Sequence, residues 1–344
     1  MRGLLTGLSC CLLVVACGGA STETQTEPAG TINVYSARHY DSDRQMYDMF
    51  EEQTGIRVRF REMSSSQLLE TMRAEGDASP ADIVIAADAG TLWRFQDAGL
   101  LRAVESDALN AAIPEKFREP EGYWFGLAKR ARVIAYDPER LSEDQVGEYG
   151  QLADESLEGE LCMRSSSNIY NLSLMSELIE RWGEDGAAEW VNAVQSNFAR
   201  DPRGGDTTQI ESIAAGECSA ALVNHYYWVR MLTSRSEDRR ALAEATALAF
   251  PETGDGTHVN ITGAGVAANA PNPEAAVAFL EFLVSERGQE LLVSETKEFP
   301  MVDGVALPDG LEALPEFIES AVALTKLGEN QATAQTLYDR AGWN

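Results

Sequence analysis

TINVY at Thr31–Tyr35, IRVRF at Ile56–Phe60 and DIVIA at Asp82–Ala86 are three short β-rich runs, each separated from the next by a segment of helical spacing. The first spacer, Asp41 to Gln53, places Met46, Tyr47 and Phe50 on one helical face; the second, Ser66 to Glu75, reads SQLLETMRAE. Strand, helix, strand, helix, strand is the pattern of a parallel sheet with helical crossovers, so the fold class is α/β.

Working outward, a helix is expected around Gly90–Ala98, a strand at Tyr123–Leu127 and another at Ala131–Tyr136. A second α/β set follows. It comprises a strand at Leu161–Arg164, helices over Ile169–Trp182, Ala187–Ala193 and Thr207–Ala215, and a strand at Ala220–Val223. Ala245–Phe250 and Gly263–Ala267 read as strands returning to the first lobe, followed by a helix over Pro273–Val284, and Gly310–Ala341 holds two further helices. The expected division is therefore lobe 1 over 31–130 plus about 250–309 and lobe 2 over 131–249 plus about 310–344, hinged near Ala131–Tyr136 and Ala245–Phe250.

The chain has 344 residues, 44% of them hydrophobic, which is enough apolar material for two packed cores. Lys and Arg total 27 against 55 Asp and Glu, a net charge of −28 that would repel nucleic acid and favour cationic ligands. Leu4 to Val15 is an apolar stretch too short to span a bilayer and reads as a signal peptide over residues 1–16. It ends in Val14-Val15-Ala16-Cys17, which resembles a lipobox with Cys17 as the acylated first residue of the mature chain. Residues 17–30 lack large apolar side chains and are expected to form a flexible tether of roughly 20 Å span. The folded body is thus expected to be extracytoplasmic, probing its surroundings from a lipid anchor.

Within that body only Cys162 and Cys218 remain, a pair that could form a disulfide in an oxidising compartment but offers no zinc-ligand spacing. Gly263-Ala264-Gly265-Val266-Ala267-Ala268 fits a loose dinucleotide fingerprint, yet its glycines fall in the expected strand and not in the turn after it. There is no Walker A motif, no H-E-x-x-H and no G-x-S-x-G, and three histidines leave little for a hydrolytic triad. An enzyme is therefore not expected.

The tyrosines carry the functional signal. Tyr40, Tyr170 and the pair Tyr226-Tyr227 fall just past expected strand ends, where open parallel sheets bind ligands, and the first belongs to one lobe while the others belong to the second. A single strand-end tyrosine ordinarily packs against its neighbours, but adjacent tyrosines point about 100° apart and seldom enter one core together. Ser165–Ser167 are expected to cap the following helix, and His225 to stay outside any ligand set. Several phenols suit a hard trivalent cation, because phenol titrates near pH 10 and needs a strongly polarising ion to ionise at neutral pH. Ferric iron fits, with His39 as a neutral fifth ligand. Four phenolates around three positive charges leave one negative charge, for which Arg38, Arg130 and Arg203 are candidate counterions.

Val34-Tyr-Ser-Ala-Arg-His-Tyr-Asp41, Trp124-Phe-Gly-Leu-Ala-Lys-Arg-Ala-Arg-Val133, Arg164-Ser-Ser-Ser-Asn-Ile-Tyr-Asn171 and Thr257-His-Val-Asn-Ile-Thr-Gly-Ala-Gly265 resemble the periplasmic ferric-iron-binding proteins of ABC transporters, especially their cyanobacterial FutA-like branch. The resemblance runs across most of residues 31–300. It implies a two-lobed periplasmic-binding-protein fold of type II-like topology that closes on iron and passes it to a membrane permease. The family's metal ligands fall on His39, Tyr40, Tyr170, Tyr226 and Tyr227, and His225 departs from the small or hydroxylated residue of relatives. Fe3+ is the implied cargo, with Fe2+ left open, and the chain is expected to act as a monomer. A polyamine or another small solute on the same fold is the alternative.

Overall fold

The computed structural model describes residues 30–38, 40–251 and 256–344. The expected signal segment, Cys17, nearly all of the tether and His39 lie outside the described residues. Nine strands are described: β1 (Gly30–Ser36), β2 (Ile56–Glu62), β3 (Ile83–Ala86), β4 (Leu101–Arg102), β5 (Phe125–Tyr136), β6 (Ala220–Asn224), β7 (Ala247–Ala249), β8 (Val259–Ala267) and β9 (Phe299–Pro300). β1 lies between β2 and β3 and runs parallel to both. The Asp41–Thr54 and Ser65–Glu75 helices make the two crossovers, as their apolar spacing requires.

β5 joins the two halves of the molecule. Its first part, Phe125 to Ala131, pairs antiparallel with β8, and from Arg132 to Tyr136 it pairs with β6. Ala131 is thus the last residue held by the first sheet, and Arg132 the first held by the second. The Arg132 N–H crosses back to the His258 carbonyl at 2.9 Å, so the two connecting strands are tied together where they leave one lobe for the other.

The cores follow that division. Ile32, Val34, Phe50, Val84, Leu92, Trp124 and Phe279 belong to one buried cluster. In the second sheet the alternation of side chains feeds two clusters, Ile134 and Leu222 entering one with Trp190 and Trp343, and Val133 and Val223 entering the other with Ile210 and Phe250. The Cys162–Cys218 disulfide is formed beside this last cluster, with Cα atoms 5.8 Å apart.

Several elements differ from expectation. Tyr123–Leu127 and Ala131–Tyr136 are parts of one strand, because Lys129 and Arg130 between them find carboxylates and stay in register. The Leu161–Arg164 run forms isolated bridges from Leu161 to Phe198 and Ala220 in place of a strand. The two helices over 169–193 are one element, Ile169–Ser196, broken at Gly183, whose φ of 75° suits glycine. Ala247–Ala249 stays in the second sheet beside β5, and the return to the first lobe comes at Thr257–Val259. Residues 310–344 divide between the lobes: Leu324 and Leu327 enter the first core, and Leu337 and Tyr338 the second. Gly263 and Gly265 lie inside β8, where a Cβ would stand 2.7 Å from the Phe125 carbonyl oxygen and 2.6 Å from that of Tyr123. Close strand packing accounts for both glycines.

Candidate metal centre

The four tyrosines sit at the starts of three helices. Tyr40 follows β1 and caps the Asp41–Thr54 helix; Tyr170 is the second residue of the Ile169–Ser196 helix; Tyr226 and Tyr227 open the His225–Leu232 helix directly after β6. The expected Ser165–Ser167 cap is replaced by Asn168, whose side chain accepts the Tyr170 N–H at 3.0 Å. Each helix start presents its positive dipole end, which favours an anionic phenolate over the neutral phenol.

The hydroxyls converge. Tyr226 Oη donates to Tyr170 Oη at 3.0 Å and accepts from Asn224 Nδ2 at 3.3 Å. The Tyr226 and Tyr227 rings lie 4.5 Å apart. Tyr40, from the other lobe, accepts from Arg230 Nη2 at 3.1 Å and is close enough to act on the Tyr226 charge. Burial is the chief cause that holds Tyr226 and Tyr170 well above the usual phenol range; Tyr227 pushes both further up, while Arg130 opposes both and the hydrogen bond from Tyr226 opposes the rise at Tyr170. Both are therefore neutral phenols at physiological pH.

Guanidinium groups surround the cluster. Arg130, Arg132 and Arg164 stand 5.3, 5.9 and 5.3 Å from the Tyr170 ring centre, and Arg38 stands 5.2 Å from that of Tyr40. Arg38 is paired with Asp43 and Arg130 with Glu298, while Arg132 and Arg164 share the single carboxylate of Asp206. Arg203, a candidate counterion from the sequence, instead pairs with Glu217 in an exposed position.

Arg230 was not among the sequence candidates. Its guanidinium lies 4.8 Å from the Tyr226 ring centre, 5.2 Å from Tyr40 and 5.6 Å from Tyr227. Among the described residues no carboxylate lies within ion-pair distance of it; its other hydrogen bonds go to the Thr296 carbonyl. Its charge is therefore available to the phenols. The available signal was its place four residues after Tyr226, which puts both on one helix face.

His225 is fully buried and turned away from the phenols' shared space. Its Nδ1 accepts the Ala131 N–H at 3.1 Å, which leaves the proton on Nε2 to donate to the Lys297 carbonyl at 3.1 Å. Burial lowers its pKa to about 4, and it is a neutral structural residue with both nitrogens used. Among the described residues there is no group of three or more His, Cys, Asp or Glu that could hold a metal ion.

Residues 78–316 match the family described as bacterial extracellular solute-binding protein. The chain is 40% identical over 335 residues to Iron uptake protein A1 of Synechocystis sp., covering 96% of this chain and 93% of that one. A solved structure described as Trichodesmium (IdiA) (FutA) in complex with iron and citrate ligands has a TM-score of 0.88 and 42% identity, covering 92% of this chain and all of that one. The Ferric binding protein from Campylobacter jejuni has a TM-score of 0.86 at 34% identity, with coverage of 91% and 100%.

Proposed function

We propose, since the chain belongs to the bacterial extracellular solute-binding proteins, that Tyr40, Tyr170, Tyr226 and Tyr227 bind its cargo as phenolates and that His39 adds a neutral imidazole. The chain is a ferric-iron-binding periplasmic solute-binding protein, and its family is one of binders, not enzymes. The observation that carries the phenolate reading is the meeting of four tyrosines, from both lobes, at three helix starts.

Ionising a phenol at pH 7 costs about 4 kcal/mol even in water, so the ion must repay roughly that much for each ligand. A trivalent cation does so more readily than a divalent one. Four phenolates and Fe3+ leave a net charge of −1, which the unmatched Arg230 cancels. Fe2+ would leave −2 and a weaker attraction, so the charge count favours ferric cargo. Lobe motion about Ala131 and Thr257–Val259 would part Tyr40 from the other three and open the site for entry and release of the ion. A membrane permease of an ABC transporter is the proposed recipient. Anchoring through Cys17 would hold the receptor near it, and one chain supplies every proposed ligand.

The test is colour. Metal-stripped protein titrated with a soluble ferric chelate should develop a visible phenolate-to-iron charge-transfer band that saturates at one ion per chain. Absence of the band at saturating iron would refute phenolate coordination.

A further inference from the structure

We infer that His225, clasped to the turn Thr296–Glu298, is a positioning residue that registers the Tyr226–Tyr227 pair against the first lobe and thereby sets how slowly bound iron escapes, without touching the ion. The inference rests on the iron reading above.

Three observations carry it. First, one buried imidazole touches both lobes. Nδ1 of His225 is held by Ala131, the residue at which β5 leaves the first sheet, Nε2 is held by the Lys297 carbonyl, and the ring stacks on Phe299 at 4.4 Å. The two phenols follow it directly in the chain, so a shift of the imidazole shifts the start of their helix.

Second, Lys297 has φ of 58°, and it is the one described residue other than glycine with positive φ. An L residue adopts this conformation only where its surroundings impose it. Here the turn is held along its length. The Lys297 N–H donates to the Val293 carbonyl at 3.0 Å, the Glu298 N–H donates to Thr296 Oγ1 at 3.3 Å, and the Thr296 carbonyl accepts twice from Arg230, at 3.1 and 3.0 Å. The carbonyls of two successive residues are thus turned toward a single helix of the opposite lobe.

Third, the turn is continuous with the other half of the site. The buried Glu298 carboxylate binds Arg130, beneath Tyr170, at 3.1 Å, and stands 3.6 Å from Arg38, two residues before Tyr40. A displacement of the turn therefore reaches ligands on both sides of the cleft, and the His225 contact is where the second lobe meets it.

Two substitutions separate the two ends of the imidazole. His225→Asn places an acceptor near Nδ1 and leaves the Lys297 carbonyl without its donor; His225→Gln reaches that carbonyl with an amide N–H. Each variant is loaded with ferric iron, its visible band recorded, and its release rate into excess EDTA measured. The expected result for His225→Asn is an unmoved band with release accelerated about tenfold, the effect of one lost buried hydrogen bond. His225→Gln should restore release to within about threefold of the unsubstituted protein. Release from His225→Asn at the unsubstituted rate would overturn the inference, and so would a shifted band, which would make His225 a ligand. If His225→Asn does not fold, Phe299→Leu removes the plate against which the ring stacks and should accelerate release in the same direction; no change there overturns the inference equally. An unsubstituted protein without a band fails the iron reading itself, an outcome none of the variant comparisons can mimic.

Discussion

The Tyr226 hydroxyl donates to the Tyr170 hydroxyl across 3.0 Å, joining the starts of two helices whose residues are 56 positions apart in the chain. Burial favours the neutral form of both phenols, and their oxygens are near enough for one ion to contact both, at the cost of displacing a proton from each.

Tyr226→Phe and Tyr170→Phe should therefore each cost little in stability, about 1 kcal/mol for the lost hydrogen bond, and much in iron retention. Loss of an orienting partner alone typically weakens a metal site 10- to 100-fold, so loss of a ligand should weaken it by about 100-fold or more. Tyr136→Phe is the control, since Tyr136 lies at the far end of β5 in the second core. Competition against a ferric chelator of known strength measures all three. Equal losses would show that the tyrosines serve packing.

The proposed shell of four phenolates and Fe3+ would carry one negative charge, which Arg230 is placed to offset. Arg230→Gln removes it together with the bond to Tyr40, and ferric affinity should fall by about tenfold or more, as expected for a charge-assisted hydrogen bond. Arg230→Lys keeps the charge but not the fork that also holds Thr296, so an intermediate loss is expected. Isothermal titration with ferric citrate would distinguish the two, and an unchanged affinity in Arg230→Gln would exclude the electrostatic role.

The parts of this molecule legible in the sequence are those governed by local pattern. β1, β2 and β3 are bounded runs with helical spacers, and the topology follows from them. Tyr40, Tyr226 and Tyr227 could be placed because a residue just past a strand end is at the rim of the sheet whatever the rest of the fold does. What was not legible depends on distant partners. Lys129 and Arg130 look like a break between two strands until Glu319 and Glu298, far along the chain, neutralise them. The Leu161–Arg164 run has strand-like composition, but Cys162 donates to Ala220 and Met163 accepts from Arg203, so no ladder extends beyond a bridge. Arg230 looks like an ordinary helix-surface cation, and only the approach of Tyr40 from the other lobe gives it a role.

The disulfide gives a prediction independent of the metal. Cys162 and Cys218 enclose a loop with a sequence separation of 56, and a cross-link of that span restricts the unfolded chain by about 4 kcal/mol. Reduction should lower the urea midpoint accordingly. It should leave the colour of the iron-loaded protein unchanged, because both sulfurs lie in the cluster around Ile210 and Phe250 and none of the proposed ligands depends on them. Bleaching on reduction at denaturant concentrations that keep the chain folded would show that the bridge shapes the site.

Glu298 ties acid stability to the same framework. Burial alone would raise its pKa, but Arg130 and then Arg38 outweigh burial and hold it below the ordinary glutamate value of 4.5. The unfolded chain therefore takes up a proton at higher pH than the native one, and stability must decline as pH falls from about 4.5 through the native pKa. Above that window the contribution is complete. Glu177, held low against its own burial by His258 and Arg181, adds to the slope with the same sign. Glu298→Gln should cost about 3–5 kcal/mol near pH 7, because it leaves the buried Arg130 guanidinium without its carboxylate partner, while Arg38 keeps Asp43. It should also flatten the acid limb of stability against pH, since one of the carboxylates that contribute to the slope is gone. Urea unfolding of the metal-free protein between about pH 3 and pH 7 reads both effects. An acid limb of unchanged steepness in Glu298→Gln would mean that Arg130 and Arg38 do not hold this carboxylate charged in the folded protein.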